Sequence, residues 1–210
     1  MRFILLINSL KRFICVSIIF FLSVVSAQAQ TGPGGIGKTD GTSNLKLWLN
    51  SASGTNSTTN GAAISSWADQ SGSGYNASQG TSNRMPTYVS NSVNGQPALN
   101  FDGADDRLEV TSFPLFTTSN SPVSMFVVFR ATNVTGQRFL LTHPQANCSN
   151  NFELGYHTGS SSSPNLGLHN GCGNATVSEN AAVANTYTIL TTKVLSSGTA
   201  PTNVTMNKNG

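Results

Sequence analysis

The residues with the most distinctive chemistry form one segment, W-A-D-Q-S-G-S-G-Y-N, from Trp67 to Asn76. A carboxylate followed by a Gly-rich run predicts an Asx-turn, in which Asp69 accepts hydrogen bonds from backbone N–H groups of its own loop. The segment is also a candidate glycan or calcium site, because an aromatic ring can stack on a sugar while carboxylate and amide groups bind its hydroxyls. We name Trp67, Asp69, Tyr75 and Asn76 as candidate ligand-binding residues, with a purely scaffolding loop as the alternative.

A second candidate site is the acidic cluster formed by Asp102, Asp105 and Asp106. Closely spaced carboxylate oxygens are the ligands that Ca²⁺ takes, and like charges repel unless a cation is present. The register of an EF-hand loop is absent. Arg107 adjoins the cluster and offers the counter-charge that a plain hairpin turn would need. Calcium is therefore a candidate cofactor here, with an ion-paired turn as the alternative.

Catalytic chemistry is tested by the spacing of the glutamates. Glycosidases need two carboxyl groups flanking the scissile bond, commonly at alternate positions of one strand. The glutamates are Glu109, Glu153 and Glu179, and none has an acidic neighbour two or four residues further on. The pair Tyr156-His157 has the residue types of a lyase base, but no supporting motif surrounds it. The sequence therefore predicts no catalytic residue up to Gly210.

Two cysteines remain once Cys15 of the N-terminal apolar segment is set aside. Cys148 and Cys172 form an even pair, which in an exported chain predicts a disulfide. The alternative is a metal site, because His169 and Cys172 have ligand spacing and two further histidines, His143 and His157, lie near the cysteines in sequence.

The elements that position these residues are short apolar runs separated by Gly, Asn and Ser turns. Leu45, Leu47 and Leu49 alternate with other residues, which predicts a strand. Met125 to Arg130 is apolar on both faces and predicts a central strand of the core. No apolar stripe of helical period is long enough for a substantial helix. An all-β, antiparallel sandwich follows, with further strands predicted at 63–67, 98–101, 108–110, 139–142, 152–156, 165–168, 187–194 and 203–206.

The first 29 residues have the pattern of a secretory signal peptide. Three basic residues precede an apolar run from Phe13 to Val25, and Ala27-Gln28-Ala29 supplies a small-x-small cleavage site. The apolar run is shorter than the roughly 20 residues that a membrane-spanning helix needs. We therefore expect cleavage after Ala29, no insertion into a membrane afterwards, and a secreted or cell-surface protein.

The net charge of the chain limits the classes of partner that it is expected to bind. Only 9% of the residues are charged, and the formal net charge is +3. The predicted signal peptide carries three of the eleven basic residues, so eight remain against eight acidic ones. A neutral mature chain has no basic excess to neutralise phosphates or anionic lipids, which excludes nucleic acid and membrane surfaces as expected partners.

Several segments resemble the concanavalin A-like, laminin-G-like jelly-roll domains of large secreted surface proteins of the Bacteroidota, which use type IX secretion. The resemblance covers most of residues 32–130 and is carried by GPGGIG, NLKLWLN, ISSWADQSGSGYNAS, RMPTYV, NGQPALNFDGADDRLEV and SMFVVFR. It implies a two-sheet jelly roll, export, and a surface role in adhesion or glycan binding without catalysis.

These patterns together predict three segments and one function. Residues 1–29 are the signal peptide, 30–43 a Gly-rich lead-in, and 44–210 a concanavalin A-like sandwich that lacks its last strands, because the N-K-N-G turn signal at 207–210 has no strand after it. The expected function is a non-catalytic carbohydrate-binding or cell-surface adhesion module, with a polysaccharide or surface glycan as partner. The alternatives are the N-terminal part of a polysaccharide-degrading enzyme with its catalytic residues beyond Gly210, and a structural spacer of a large adhesin.

Overall fold

The computed structural model describes residues 31–114, 122–143, 152–157, 165–170, 176–179, 183–194 and 204–209. These residues form antiparallel strands with almost no helix, which confirms the all-β prediction. The chain divides into two compact units, Met1–Thr111 and Ser112–Gly210, called here the first and the second unit. The single sandwich over 44–210 stays a prediction. The predicted signal peptide, Cys148 and Cys172 lie outside the described residues.

The first unit is built from short strands and turns. A three-stranded antiparallel sheet has the order β1-β2-β5, and a separate hairpin pairs β3 with β4. The strands are β1 (Ser66–Trp67), β2 (Ala77–Ser78), β3 (Thr87–Val93), β4 (Gln96–Asn100) and β5 (Glu109–Val110).

The hairpin of the first unit depends on the dipeptide Asn94-Gly95. Both residues have positive φ, 50° for Asn94 and 75° for Gly95. Two consecutive positive φ angles define the tight turn whose twist matches that of the flanking strands, and Asn-Gly is the dipeptide that adopts it most readily. The turn therefore fixes the pairing of Val93 with Gln96 at the end of the ladder.

The predicted strand at Leu45, Leu47 and Leu49 is wrong, because these residues form no ladder in the structure. The backbone here bonds to a loop instead of a strand: the Trp48 N–H donates to the Asp69 carboxylate, and the Trp48 carbonyl accepts from the Gln70 N–H, at 2.9 and 2.8 Å. The loop also satisfies the Lys46 carbonyl, which accepts from the Ser71 hydroxyl at 3.1 Å, so its backbone and side chains take the place of a partner strand.

The second unit contains two antiparallel sheets in its described residues. One is the meander β10-β9-β8-β7, and the other has the order β12-β11-β6. The strands are β6 (Val123–Arg130), β7 (Arg138–His143), β8 (Phe152–His157), β9 (Asn165–Asn170), β10 (Thr176–Glu179), β11 (Tyr187–Val194) and β12 (Val204–Lys208). Because β12 continues to Lys208, the predicted turn at 207–210 begins too early.

The core of the second unit lies between its two sheets. Leu154, Tyr156 and Leu166 come from the meander, and Leu190 and Met206 come from β11 and β12. Phe129 of β6 packs edge-on against Tyr156, with ring centroids 6.2 Å apart. The two sheets therefore share one apolar layer.

The prediction that Met125–Arg130 is a central strand is wrong for the described residues. Among the strands that the structure describes, β6 is at the end of its sheet and has β11 as its one partner. Its alternate residues Phe126 and Val128 point away from the core and stay exposed.

Within the described part of the chain, no helix has the length and apolar character needed to cross a membrane.

Candidate functional site

The Trp67–Asn76 loop is organised around the carboxylate of Asp69. Its Oδ1 accepts from the N–H groups of Trp48 and Ser71, both at 2.9 Å. Its Oδ2 accepts from the Tyr75 N–H at 3.1 Å and from the Ser71 hydroxyl at 2.8 Å. The predicted Asx-turn is confirmed by the bond from Ser71, two residues further on. The bond to Trp48 could not be predicted, because that donor is 21 residues earlier in the sequence.

These bonds also fix the charge of Asp69. Burial is the largest single influence and raises the pKa of this carboxyl group. The hydrogen bonds from Trp48, Ser71 and Tyr75 act in the opposite direction, and together they leave the pKa below its usual value. Asp69 is therefore an ionised scaffold whose two oxygens both accept hydrogen bonds inside the protein.

The other three predicted ligand-binding residues lie around this scaffold. The Asp69 N–H donates to Asn76 Oδ1 at 2.9 Å, while the Asn76 side chain is exposed and its NH₂ group has two donor hydrogens. Tyr75 is half-buried and joined to Asp69 through its N–H. Trp67 pairs with Ala77 between β1 and β2, and its indole N–H is shielded from solvent with no partner among the described residues. The loop therefore offers Asn76 and Tyr75 to a ligand more than Trp67 or Asp69.

The Gly-rich lead-in packs against the same loop. The Gly41 N–H donates to the Ser71 carbonyl at 3.2 Å, and both Gly41 and Gly72 have positive φ. A Cβ on Gly41 would come within 2.7 Å of the Gly72 carbonyl oxygen, and one on Gly72 would meet the Thr39 carbonyl. Only glycine permits this approach of two backbones. The described part of the lead-in is thus folded onto the candidate site.

The acidic cluster is brought together as predicted. One carboxylate oxygen from each of Asp102, Asp105 and Asp106 lies within 4.8 Å of the others. Asp102 Oδ1 accepts from the Ala104 N–H at 2.8 Å, and this bond is the main reason that the pKa of Asp102 is lowered. The Asp102 N–H donates to Asp106 Oδ2 at 2.9 Å. The turn is therefore held by its own carboxylates, and calcium binding there stays a prediction.

The prediction that Arg107 supplies the counter-charge of this cluster is wrong. Arg107 pairs with Glu109, with Nε and Oε1 2.6 Å apart. Arg84, from a 3-10 turn at Ser82–Arg84, lies nearest the cluster instead, with its Nε 3.4 Å from Asp105 Oδ2. Adjacency in sequence indicated Arg107, but it reaches Glu109 two residues further along the strand.

The alternative metal site at the cysteines is described only in part. The imidazole of His143 lies 3.2 Å from the carbonyl oxygen of Phe113, so a backbone contact accounts for its position. His157 and His169 lie in β8 and β9, where the structure describes the backbone. The predicted disulfide between Cys148 and Cys172 lies outside the described residues.

Comparison with known proteins identifies no relative. No protein-family model, no curated protein and no solved structure matches this chain.

Proposed function

We propose that this chain is a secreted, non-catalytic module that binds carbohydrate through the Trp67–Asn76 loop. The observation that carries the proposal is the bonding of Asp69, whose two oxygens accept N–H groups of Trp48, Ser71 and Tyr75 and so hold the loop in one shape. A loop that is already ordered loses little conformational entropy when a ligand binds, so weak contacts to a neutral sugar suffice. The signal-peptide pattern and the many uncharged Ser, Thr and Asn side chains fit a glycan outside the cell.

The carboxyl groups with resolved pKa shifts act as hydrogen-bond acceptors. Among the described residues, the pKa shifts that are resolved for carboxyl groups, at Asp40, Asp69 and Asp102, are all downward. The hydrogen bonds that these groups accept favour the ionised form, as a turn scaffold requires. The support for a non-catalytic module is the spacing of the glutamates, none of which has an acidic neighbour two or four residues further on.

The fold we propose is the concanavalin A-like jelly roll. Its support is the second unit, where two antiparallel sheets enclose one apolar layer, and the segments of residues 32–130 that resemble this family. In such folds ligands commonly bind at loops between strands, and the Asp69 loop connects β1 to β2.

Affinity electrophoresis against neutral plant and algal polysaccharides tests the proposal. We expect the protein to be retarded by at least one of them, and Asn76→Ala to weaken this about tenfold because it removes the exposed amide. Asn83→Ala is the matched control, since Asn83 is an exposed amide of the same unit outside the loop. Absence of retardation in every gel would contradict the proposal and favour a structural spacer.

Calcium is tested in the same gels with EDTA. If Asp102, Asp105 and Asp106 hold an ion that shapes the binding surface, EDTA reduces the retardation and excess Ca²⁺ restores it. Unchanged retardation in EDTA would separate carbohydrate binding from the acidic cluster.

A further inference from the structure

The outer face of the β12-β11-β6 sheet has an apolar centre that the core does not use. This outer face consists of the outward-pointing residues of the three strands, which alternate with the buried ones. Phe126 and Val128 of β6 and Ile189 of β11 form the centre, with exposures of 65%, 64% and 52%. Val128 and Ile189 are directly opposite each other in the ladder. An outer sheet face usually carries polar side chains, so three neighbouring large apolar residues indicate a contact surface.

The charges of the outer face have one sign. Arg130 lies at one end, with its guanidinium 5.3 Å from the ring centroid of Tyr187, and the exposed Lys193 lies at the other. The two positions are about 20 Å apart along the strands, at about 3.3 Å per residue. Every other outward position of β6, β11 and β12 is apolar, aromatic, hydroxyl or amide, and none is acidic.

The occupant must match both the apolar centre and the two cations. A second copy of the chain is the weaker choice, because a stable dimer buries about 800 Å² on each partner and three apolar side chains fall short of that. In such a dimer, Arg130 and Lys193 of one copy would also face either the same cations of the other copy or positions that carry no carboxylate. A linear ligand can match the whole outer face if its regularly spaced negative charges meet the two cations and an apolar ring face packs on the centre.

We propose that the outer face binds an acidic polysaccharide, with uronate carboxylates at Arg130 and Lys193 and a sugar ring on Phe126. The hydroxyl of Thr191 and the amide of Asn207, paired across β11 and β12, lie beside the apolar centre and can bind the sugar hydroxyls. This inference rests on the proposed carbohydrate-binding function, but it places a second surface in the other unit and defines the class of its ligand.

The test compares polygalacturonate with its fully methyl-esterified form, which has the same backbone without the charges. We expect isothermal titration calorimetry to show binding of polygalacturonate at low salt, with at least tenfold weaker binding of the uncharged ester, and at least tenfold weaker binding of polygalacturonate itself in high salt. Phe126→Ser should weaken binding about tenfold, and Arg130→Gln with Lys193→Gln about fivefold. All these side chains point away from the core, so thermal unfolding should be unchanged.

The matched control removes two cations elsewhere. Lys38→Gln with Lys46→Gln makes the same change of net charge in the first unit, and we expect no effect on binding of polygalacturonate. Equal weakening by this control, equal binding of the ester, or unchanged binding in Phe126→Ser would each overturn the proposal. A wild-type dimer that becomes monomeric in Phe126→Ser would also overturn it, by making the face a self-interface.

The same proteins separate this inference from the proposed function. Asn76→Ala should weaken binding of the neutral polysaccharide and leave polygalacturonate binding unchanged, while Phe126→Ser does the reverse. If neutral glycans bind and polygalacturonate does not, the second surface is refuted and the Asp69 loop stands. If the protein binds neither kind of polysaccharide, both proposals fail.

Discussion

The backbone N–H and C=O groups of the two units find their hydrogen-bond partners in different ways. In the first unit the strands of the β1-β2-β5 sheet have two residues each, and many N–H groups bond to side chains such as Asp69, Asn56 and Gln79. In the second unit long ladders pair the backbone with itself, and an apolar layer holds the sheets together. The stability of the first unit should therefore depend on polar side chains, and that of the second on packing.

Charge follows the same division. Residues 31–111 carry four basic and six acidic side chains, whereas residues 112–210 carry four basic and two acidic ones. The neutrality expected from the whole mature chain is thus the sum of an acidic unit and a basic one. The two surfaces proposed above therefore lie in units of opposite net charge, and the proposed surface for an acidic glycan lies in the basic unit.

The largest effect is expected for Leu190→Ala in the second unit. Leu190 is fully buried, and its truncation removes apolar contacts and leaves a cavity, which costs about 4 kcal/mol of unfolding free energy. Hydrogen exchange of the β11 amides measures this loss. Ile189→Ala is the control, because its side chain lies on the outer face of the same strand. An equal loss for both variants would contradict a packed core beneath β11.

The next largest effect is expected for Asp69→Ala in the first unit. It leaves the N–H groups of Trp48, Ser71 and Tyr75 without their acceptor, at a cost of about 3 kcal/mol. Both tryptophans, Trp48 and Trp67, belong to this unit, so intrinsic fluorescence follows its unfolding.

Asp40→Ala is the control for this variant. Its carboxylate is exposed and accepts from the N–H and the hydroxyl of Thr42 within its own turn, so we expect a much smaller loss of stability than for Asp69→Ala. If the fluorescence transition of Asp69→Ala coincides with that of Asp40→Ala, the loop does not depend on Asp69.

A smaller effect of opposite sign is expected for Thr192→Val. Thr192 is fully buried, and its hydroxyl has no hydrogen-bond partner among the described residues. A methyl group of nearly the same volume removes the cost of burying the hydroxyl, so the second unit should gain about 1 kcal/mol in denaturant unfolding. A destabilised variant would show that the hydroxyl has a partner.

The smallest effect is expected from acid. Because the folded-state pKa of Asp69 is lower than its unfolded value, its stabilising contribution is present above about pH 4 and is lost as the pH falls through the folded pKa. Tryptophan fluorescence should therefore report unfolding at a lower denaturant concentration at pH 3 than at pH 6. Asp69→Ala should show a smaller change between the two pH values, and an equal change would assign the acid sensitivity to other groups.

Sequence patterns predicted the second unit better than the first. The strand at Tyr187–Val194 matches its prediction at both ends, because alternation and β-branched residues extend over its whole length. Residues 45–49 show the same alternation but bond to a loop. Thr87–Val93 was missed because the polar run Ser90-Asn91-Ser92 interrupts its apolar pattern, although the Asn94-Gly95 turn after it is typical of a hairpin. Single-sequence periodicity identifies a strand that alternates over its whole length, but it misses a ladder strand with a polar interior and cannot show bonds from distant side chains.

The candidate sites show the same limit. The Asp69 turn was predictable, since an Asx-turn involves only neighbouring residues. The outer face was not recognised from the sequence. Met125–Arg130 is apolar on both faces of the strand, but periodicity cannot show which of the two faces another layer covers. The pairing of Arg84 with Asp105 depends on how distant turns meet, which the sequence does not encode locally.

The approach of Gly41 to Gly72 limits how this protein can change over evolutionary time. In most packed pairs, a larger residue at one position can be offset by a smaller one at the other. Here each added Cβ would meet backbone atoms, and glycine has nothing smaller to exchange. Descendants that keep the lead-in folded onto the loop must therefore retain both glycines, while the exposed loop positions around them are free to diverge.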